Sequence, residues 1–210
     1  MRLGKENKRA YFALRSPFAI FAYTIIYVSM ARNGITVNGK LFRKFIDRAE
    51  IERQVKRVAH EIECSAKDNI PLFVCVLNGS FVFAADLLRN IEYPCEVCFV
   101  RLASYEGTSS TGCVKNILGL NADISGRDII IIEDIVETGR TLQALHKTLL
   151  EKNAKSVSIA SLVSKPSRLE TDIIVKYCGF KMKDTDFIVG YGMDYNGQGR
   201  NIPDIYIAVE

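Results

Sequence analysis

The chain has 210 residues, of which 48% are hydrophobic and 25% are charged, and its formal net charge is +4. This balance is typical of one well-buried globular domain and excludes a disordered chain. The small positive charge comes without a dense basic tract, so a polyanionic small molecule explains it as well as a nucleic acid would.

The amino terminus differs in pattern from the rest of the chain, because a basic lead precedes an apolar stretch at residues 18–28. The pattern imitates a signal peptide, although a bilayer span needs about 20 apolar residues. Met30 is a candidate initiator. We predict that residues 1–31 are a dispensable or mis-started extension and that residues 32–210 form the domain. A signal or anchor and an extra packed element are the alternatives.

A turn followed by a helix is predicted next. Asn38-Gly39 is a turn signature, and apolar residues from Phe42 to Ile62 then recur at helical spacing, with Ile51 out of phase. The pattern predicts a helix that runs to about residue 67 and covers one face of a sheet. Its His60 is expected on the surface rather than in a catalytic site.

A strand and a helix are predicted on either side of the Asn78-Gly79-Ser80 turn. Residues 72–77 are an unbroken apolar run, and residues 81–89 follow a helical pattern. Ser80 is suited to capping that helix, which makes the turn a candidate anion site. Cys75 lies in the apolar run, and free cysteines in such positions behave as small buried hydrophobes, as expected in a reducing cytoplasm.

A hairpin with a long loop is predicted after residue 95. Residues 96–102 are predicted as a strand, and residues 114–120 return as the second arm. The ten residues between them, 103–112, are small and polar and favour a mobile lid, with a solvated hairpin loop as the alternative. Cys95 and Cys98 would face opposite ways on the strand, so they are unsuited to binding zinc together.

The strongest signal lies in residues 128–141. The run 129–132 predicts a strand buried on both faces, and three acids, Glu133, Asp134 and Glu137, crowd its carboxyl end. After residues 138–141, Thr-Gly-Arg-Thr, the pattern turns helical. Ligands of open α/β sheets lie beyond the carboxyl ends of strands, and the following helix offers N–H groups to a phosphate. A phosphate cradle beside carboxylates indicates a sugar phosphate, since the P-loop and dinucleotide patterns are absent from the sequence.

One further strand, residues 156–163, delivers Lys165 to the same edge of the sheet, and Pro166 forces Lys165 out of helical geometry. By itself a lone lysine after a strand is a weak signal. The run 187–195, FIVGYGMDY, follows, with Arg200 beyond it.

These motifs resemble a known family. Residues 128–141 resemble the phosphoribosyl pyrophosphate (PRPP) signature of the type I phosphoribosyltransferases. The hypoxanthine-guanine branch of that family is similar to the chain from about residue 40 to the end, at Asn78-Gly79, Ser104-Tyr105, Lys165, 187–195 and Arg200. The resemblance implies an α/β fold with a mainly parallel central sheet flanked by helices, a small hood and a mobile lid loop.

The resemblance implies a cytoplasmic enzyme of purine salvage. It would transfer the 5-phosphoribosyl group of PRPP to N9 of hypoxanthine, and of guanine, giving IMP or GMP and pyrophosphate with Mg²⁺. A homodimer or homotetramer without nucleic-acid or membrane partners is implied as well. Two alternatives are a regulatory nucleotide- or PRPP-binding protein of the same fold and a phosphoribosyltransferase that prefers xanthine.

The resemblance also implies site roles. Lys165 would donate to the purine 6-oxo oxygen, Phe187 would stack on the base and Ile188 would contact its edge. Glu133 and Asp134 would bind the ribose hydroxyls, and together with Asp194 they would hold magnesium. The remaining PRPP contacts implied are Asn78, Gly79, Ser104, Tyr105, Thr138, Gly139, Arg140, Thr141 and Arg200.

Two positions depart from the family pattern. Asn78 stands where a lysine is frequent, in a turn that often contains a non-proline cis peptide. Glu137 stands where the family has the aspartate that shares the proton of purine N7. The extra methylene moves the carboxylate, and a misplacement of about 1 Å can cost on the order of 100-fold in rate. The sequence therefore predicts an active enzyme with altered efficiency or base preference.

Overall fold

The computed structural model describes residues 34–66, 69–102 and 117–209. The helices of this part of the chain are α1 (Arg48–Ala66), α2 (Phe81–Arg89) and α3 (Arg140–Glu151), and a 3-10 turn spans Pro166–Arg168. The strands are β1 (Ile35–Val37), β2 (Lys40–Ile46), β3 (Leu72–Leu77), β4 (Glu96–Leu102), β5 (Ile117–Leu118), β6 (Asp128–Val136), β7 (Ser156–Ser164), β8 (Tyr177–Lys181), β9 (Ile188–Val189) and β10 (Ile205–Ala208).

The larger sheet has the strand order β5-β4-β3-β6-β7-β8. Strands β4, β3, β6, β7 and β8 are parallel, and β5 pairs antiparallel with β4. The predicted α/β class with a mainly parallel sheet is thereby confirmed. The chain moves outward from β3 to β4 on one side and from β6 to β7 on the other, so the carboxyl ends of β3 and β6 flank the point where ligands bind in such sheets.

Helices cover both faces of this sheet. On one face, α1 and α2 bury Ile62 and Phe83 against Phe73 of β3. On the other face, α3 buries Leu145 against apolar side chains that include Ile131 of β6. Strands covered on both faces read as continuous apolar runs, which is why residues 72–77 and 129–132 were recognisable in the sequence.

A second, antiparallel sheet forms the hood, with the order β1-β2-β10-β9. Its β1–β2 hairpin turns at Asn38 (φ +47°) and Gly39 (φ +77°), which confirms the Asn-Gly turn. Val37, Phe42 and Val189 are buried together beneath the hood sheet. Because β10 comes from the carboxyl end of the chain, both ends of the described domain meet in the hood.

The helix predicted from Phe42 was wrong at its start. Residues 40–46 form β2, which pairs with β10 over residues 42–46, and α1 begins only at Arg48. Ile51, which did not fit the helical spacing counted from Phe42, is fully buried once the helix starts later. The pairing partner lies more than 150 residues away in sequence, so local periodicity carried no sign of it.

Two local details also differ from expectation. Strand β6 does not stop at Glu133 but runs to Val136, because β7 continues beside it. The Ser80 hydroxyl does not cap α2, since it donates to the Val76 carbonyl at 2.6 Å. Residues 1–31, the lid segment 103–112 and residues 114–116 lie outside the described residues.

Candidate active site

The turn after β3 and the acids on β6 meet at the switch point of the larger sheet, which is the place between β3 and β6 where the chain order runs outward in both directions. The Leu77–Asn78 peptide is cis, as the resemblance implied for this turn. The Cα of Gly79 faces the Asp134 side chain so closely that an added methyl group would lie 1.8 Å from Asp134 Oδ2. Glycine is therefore needed for the turn and the carboxylate to stand side by side.

Glu133 and Asp134 form an adjacent pair of carboxyls. The Asp134 N–H donates to Glu133 Oε1 at 3.1 Å. Burial raises the pKa of the Glu133 carboxyl well above its ordinary value of 4.5, and the neighbouring Asp134 raises it further. Because a negative charge at Glu133 is costly in the free protein, the pair is suited to a ligand that brings positive charge or hydroxyl donors.

This pKa shift predicts an unusual pH dependence of stability. Between 4.5 and the raised pKa, the folded state binds more protons than the unfolded state, so Glu133 favours folding most below pH 4.5. That contribution is lost as the pH rises through the raised pKa. We expect Glu133→Gln, which keeps the acceptor oxygen but cannot ionise, to reduce the decline. Denaturant unfolding across a pH series would measure it, and an unchanged pH profile would contradict the shift.

The segment 138–141 forms an open N-terminus on α3. Gly139 precedes the helix with φ +76° and packs closely on Thr171 and Ile173, where an added methyl group would clash. The Glu170 N–H donates to the Thr138 carbonyl at 3.0 Å, and the Arg140 side chain pairs with the Glu170 carboxylate. These contacts fix the loop. No side chain of the described residues caps the first N–H groups of α3, so these groups can bind an anion.

A buried cation stands beside this loop. The Lys165 side chain is only 3% exposed, and its Nζ donates to Glu137 Oε1 at 2.5 Å. Arg168 Nη1 donates to the same oxygen at 3.3 Å. An unpaired buried ammonium is very unfavourable, so the ion pair with Glu137 is what allows Lys165 to lie inside the protein.

The hood contributes the run that begins at Phe187. The Phe187 ring is 39% exposed and contacts Phe42 and Tyr195, with ring centroids 6.0 Å and 5.5 Å away. Lys40 Nζ lies 5.0 Å from the Phe187 centroid. Ile188 follows on β9 and is buried in the cluster that includes the core helices. Phe187 thus has an aromatic setting and retains surface for stacking.

Residues 190–200 connect the hood to the turn after β3. Arg200 donates to the Gly192 carbonyl at 2.7 Å and pairs with Asp194 at 2.7 Å. The other Asp194 oxygen accepts the Gly197 N–H at 2.6 Å. An added methyl group on Gly192 would lie 2.2 Å from the Gly79 carbonyl oxygen. The loop that carries Arg200 therefore packs through the backbone of Gly192 directly on the Asn78-Gly79 turn.

Tyr191 anchors the same loop to α2. Its hydroxyl donates to Asp86 Oδ2 at 2.5 Å, and burial, followed by this hydrogen bond and the charge of Asp86, raises the Tyr191 pKa. The tyrosine hydroxyl is therefore a constant donor at physiological pH. The contact fixes the loop that carries Gly192 and Arg200 against the core.

The structure brings most of the predicted site residues to one end of the sheet. Asn78, Gly79, Glu133 and Asp134 flank the switch point, residues 137–141 follow β6, and Lys165 follows β7. Ser104 and Tyr105 lie outside the described residues. Sequence reasoning missed Arg168, Gly192 and Tyr191; the position of Arg168 three residues after Lys165, across a proline, was the one signal available for it.

Neither a dense metal-binding cluster nor a membrane-spanning helix occurs in the part of the chain that the structure describes. No group of three or more His, Cys, Asp or Glu side chains there is arranged to hold a metal ion. None of the helices described is both long and apolar enough to cross a membrane.

Comparisons with known proteins place the chain in a known family. Residues 44–196 match the family described as the phosphoribosyl transferase domain. The hypoxanthine-guanine phosphoribosyltransferase of Bacillus subtilis is 41% identical over 165 residues, covering 78% of this chain and 90% of that protein. The hypoxanthine phosphoribosyltransferase of Salmonella typhimurium is 40% identical over 161 residues, covering 75% and 90%.

Solved structures show the same likeness. The crystal structure of a hypoxanthine phosphoribosyltransferase from Staphylococcus aureus superimposes with a TM-score of 0.74 at 30% identity. The alignment covers 86% of this chain and 95% of that one. The two chains therefore share one fold over most of their length.

Proposed function

The chain belongs to the phosphoribosyltransferase family, in its hypoxanthine branch, and we propose that it transfers the 5-phosphoribosyl group of PRPP to N9 of hypoxanthine or guanine. The products are IMP or GMP and pyrophosphate. The observation that carries the proposal is the buried Lys165 ammonium beside a carboxylate-flanked phosphate loop. Neither part alone selects a purine nucleotide, but together they bind a base and a sugar phosphate side by side.

Lys165 selects the base. An ammonium can only donate hydrogen bonds, so it accepts a 6-oxopurine and leaves the exocyclic amine of a 6-aminopurine unpaired. One N–H of Lys165 is directed at Glu137, and the other two, which have no partner among the described residues, remain for the oxygen. Phe187 would stack on the base and Ile188 would contact its edge through the backbone.

The sugar phosphate lies along the loops of the larger sheet. The segment 138–141 at the start of α3 would bind the 5-phosphate through Thr138, Gly139, Arg140 and Thr141. Glu133 and Asp134 would bind the ribose hydroxyls. The Asn78-Gly79 turn and Arg200 would bind pyrophosphate. The packing of Gly192 on Gly79 links the two.

The carboxyl pair fits a magnesium ion. Magnesium keeps several waters and binds through one or two carboxylates together with substrate phosphates, so a larger cluster is not needed. Glu133 and Asp134 would hold it, and the raised pKa of Glu133 reflects a pair that a cation would neutralise. Asp194 would have to exchange Arg200 and Gly197 as partners to join them. When bound, the ion neutralises the charge of the leaving pyrophosphate.

Glu137 is the acid positioned to accept the proton of the purine base. As N9 attacks C1 of the ribose and pyrophosphate leaves, positive charge develops on the sugar and on the purine. A carboxylate near N7 stabilises the purine charge and accepts its proton, while Glu133 and Asp134 tolerate the cationic sugar. Lys165 donates to the 6-oxo oxygen throughout the transfer.

The reaction belongs in the cytoplasm, where PRPP is made. The unpaired thiols of Cys64, Cys75, Cys95, Cys98 and Cys178 are consistent with that compartment. We infer a homodimer or homotetramer without nucleic-acid or membrane partners, as is common in the family. Light scattering of the purified chain would measure the assembly.

Pyrophosphate release from PRPP and magnesium tests the function. We expect turnover with hypoxanthine and guanine and none with adenine, both for the full chain and for a chain that begins at Met30. A preference for xanthine would change the assigned base. No turnover with any base, together with nucleic-acid binding that weakens steeply with salt, would indicate that the chain is a regulatory protein and not an enzyme.

Glu137 offers a prediction about efficiency. Its carboxylate contacts both Lys165 and Arg168. These contacts favour a site that is adapted to glutamate, and they argue against the loss of rate that the sequence predicted from the longer side chain. Glu137→Asp draws the carboxylate back by one methylene, and we expect kcat/KM for hypoxanthine to fall about tenfold. Steady-state kinetics would measure this, and a rise in kcat/KM would instead support the predicted loss of rate.

A further inference from the structure

The 3-10 turn after β7 places two cations on one carboxylate. The Arg168 N–H donates to the Lys165 carbonyl at 3.0 Å, which closes the turn that begins with Pro166. Side chains three residues apart lie on the same side of such a turn. Lys165 and Arg168 therefore approach Glu137 together, one from the interior and one from the surface.

The exposures of the three side chains define this arrangement. Lys165 is 3% exposed, Glu137 38% and Arg168 43%, so the carboxylate lies at the rim between a buried and a solvated cation. Both cations contact Oε1. Within the described part of the chain Oε2 makes no hydrogen bond, so it is the oxygen that can face a ligand.

We propose that Arg168 is a positioning residue for the transfer: it holds Oε1 of Glu137 at the rim so that Oε2 points at N7 of the base. The proposal rests on the proposed function. With Lys165 as its one partner, the flexible glutamate could follow the ammonium inward. Arg168 opposes that movement. It thereby keeps the carboxylate at the rim even though the glutamate side chain is one methylene longer than that of aspartate.

The contact between Arg168 and Glu137 is not important for the stability of the fold. An ion pair between two partly exposed side chains contributes little to stability, because solvent screens it and ordering the side chains costs entropy. Its importance lies in the orientation of Glu137, on which the rate depends steeply. Arg168 should therefore affect turnover more than stability or PRPP binding.

A double-mutant cycle tests the proposal. We expect Arg168→Gln to lower kcat with hypoxanthine about fivefold, with KM for PRPP and the melting temperature unchanged. Arg168→Lys should restore part of the loss. In the Glu137→Asp background, where the shorter carboxylate no longer reaches Arg168, the same substitution should change kcat by less than about twofold.

A matched control is Arg53→Gln, which removes an exposed arginine paired with Glu50 on α1, far along the chain from the site. It should leave kcat unchanged. An equal loss from Arg168→Gln in both backgrounds, or no loss in an active enzyme, would overturn the positioning role alone. An inactive wild-type chain would overturn the proposed function and the positioning role together.

Discussion

Replacing Lys165 with methionine is expected to lower kcat/KM for hypoxanthine about 1,000-fold. The substitution removes the donor to the 6-oxo oxygen and leaves that oxygen unpaired in an enclosed site, and polar mismatches of this kind discriminate by 10⁴ or more at the upper end. Glu137 also loses its closest partner. Methionine fills nearly the same volume, so the loss should not come from a cavity. Steady-state kinetics with hypoxanthine and adenine would measure it.

Lys155→Met is the matched control. Lys155 pairs with Asp128 at 2.8 Å, as Lys165 pairs with an acid, but it lies at the opposite, amino-terminal edge of the sheet and is 54% exposed. Its replacement should change kcat/KM by less than about twofold, since exposed pairs contribute little. If Lys165→Met retained full activity with hypoxanthine, Lys165 would not recognise the base.

The second large effect is expected at Gly192, where alanine should lower the free energy of unfolding by about 3 kcal/mol. The added methyl group would lie 2.2 Å from the Gly79 carbonyl oxygen, a backbone atom that cannot rotate away, and the residue has φ +98°. The Asn78-Gly79 turn and Arg200 must then shift together. KM for PRPP should rise about tenfold, since small displacements of binding groups are costly. Denaturant unfolding and kinetics would measure the two effects.

Gly197→Ala separates the clash from backbone strain. Gly197 lies in the same loop with φ +81°, and among the described residues, its chain neighbours aside, no atom lies within 4 Å of the position where its methyl group would be. Alanine there should cost about 1 kcal/mol from the positive φ and leave KM for PRPP unchanged. Equal losses at Gly192 and Gly197 would show that strain alone matters and that the packing of Gly192 on Gly79 does not.

The accuracy of the sequence predictions depended on where the information for each element resides. Strands β3 and β4 and helix α2 were predicted with their observed bounds, because apolar runs and amphipathic spacing are patterns among neighbouring residues. The strand β2 was not, since its partner β10 is distant in sequence and its apolar residues, at positions 41, 42, 45 and 46, recur at a spacing that fits a helix. Strand β6 was predicted too short for a related reason: its last residues pair with β7 alone.

By itself the sequence determined the class of fold. It also predicted the phosphate loop and the carboxyl pair, because these depend on residue types at short spacings after strands, whereas Lys165 became a candidate only through the resemblance to the family. Only the tertiary structure decided the contacts between them. It placed Arg168 on Glu137, Gly192 on Gly79 and Tyr191 on Asp86. Such contacts join segments that are distant in the chain, and packing between elements, which leaves no local pattern in a single sequence, is what determines them.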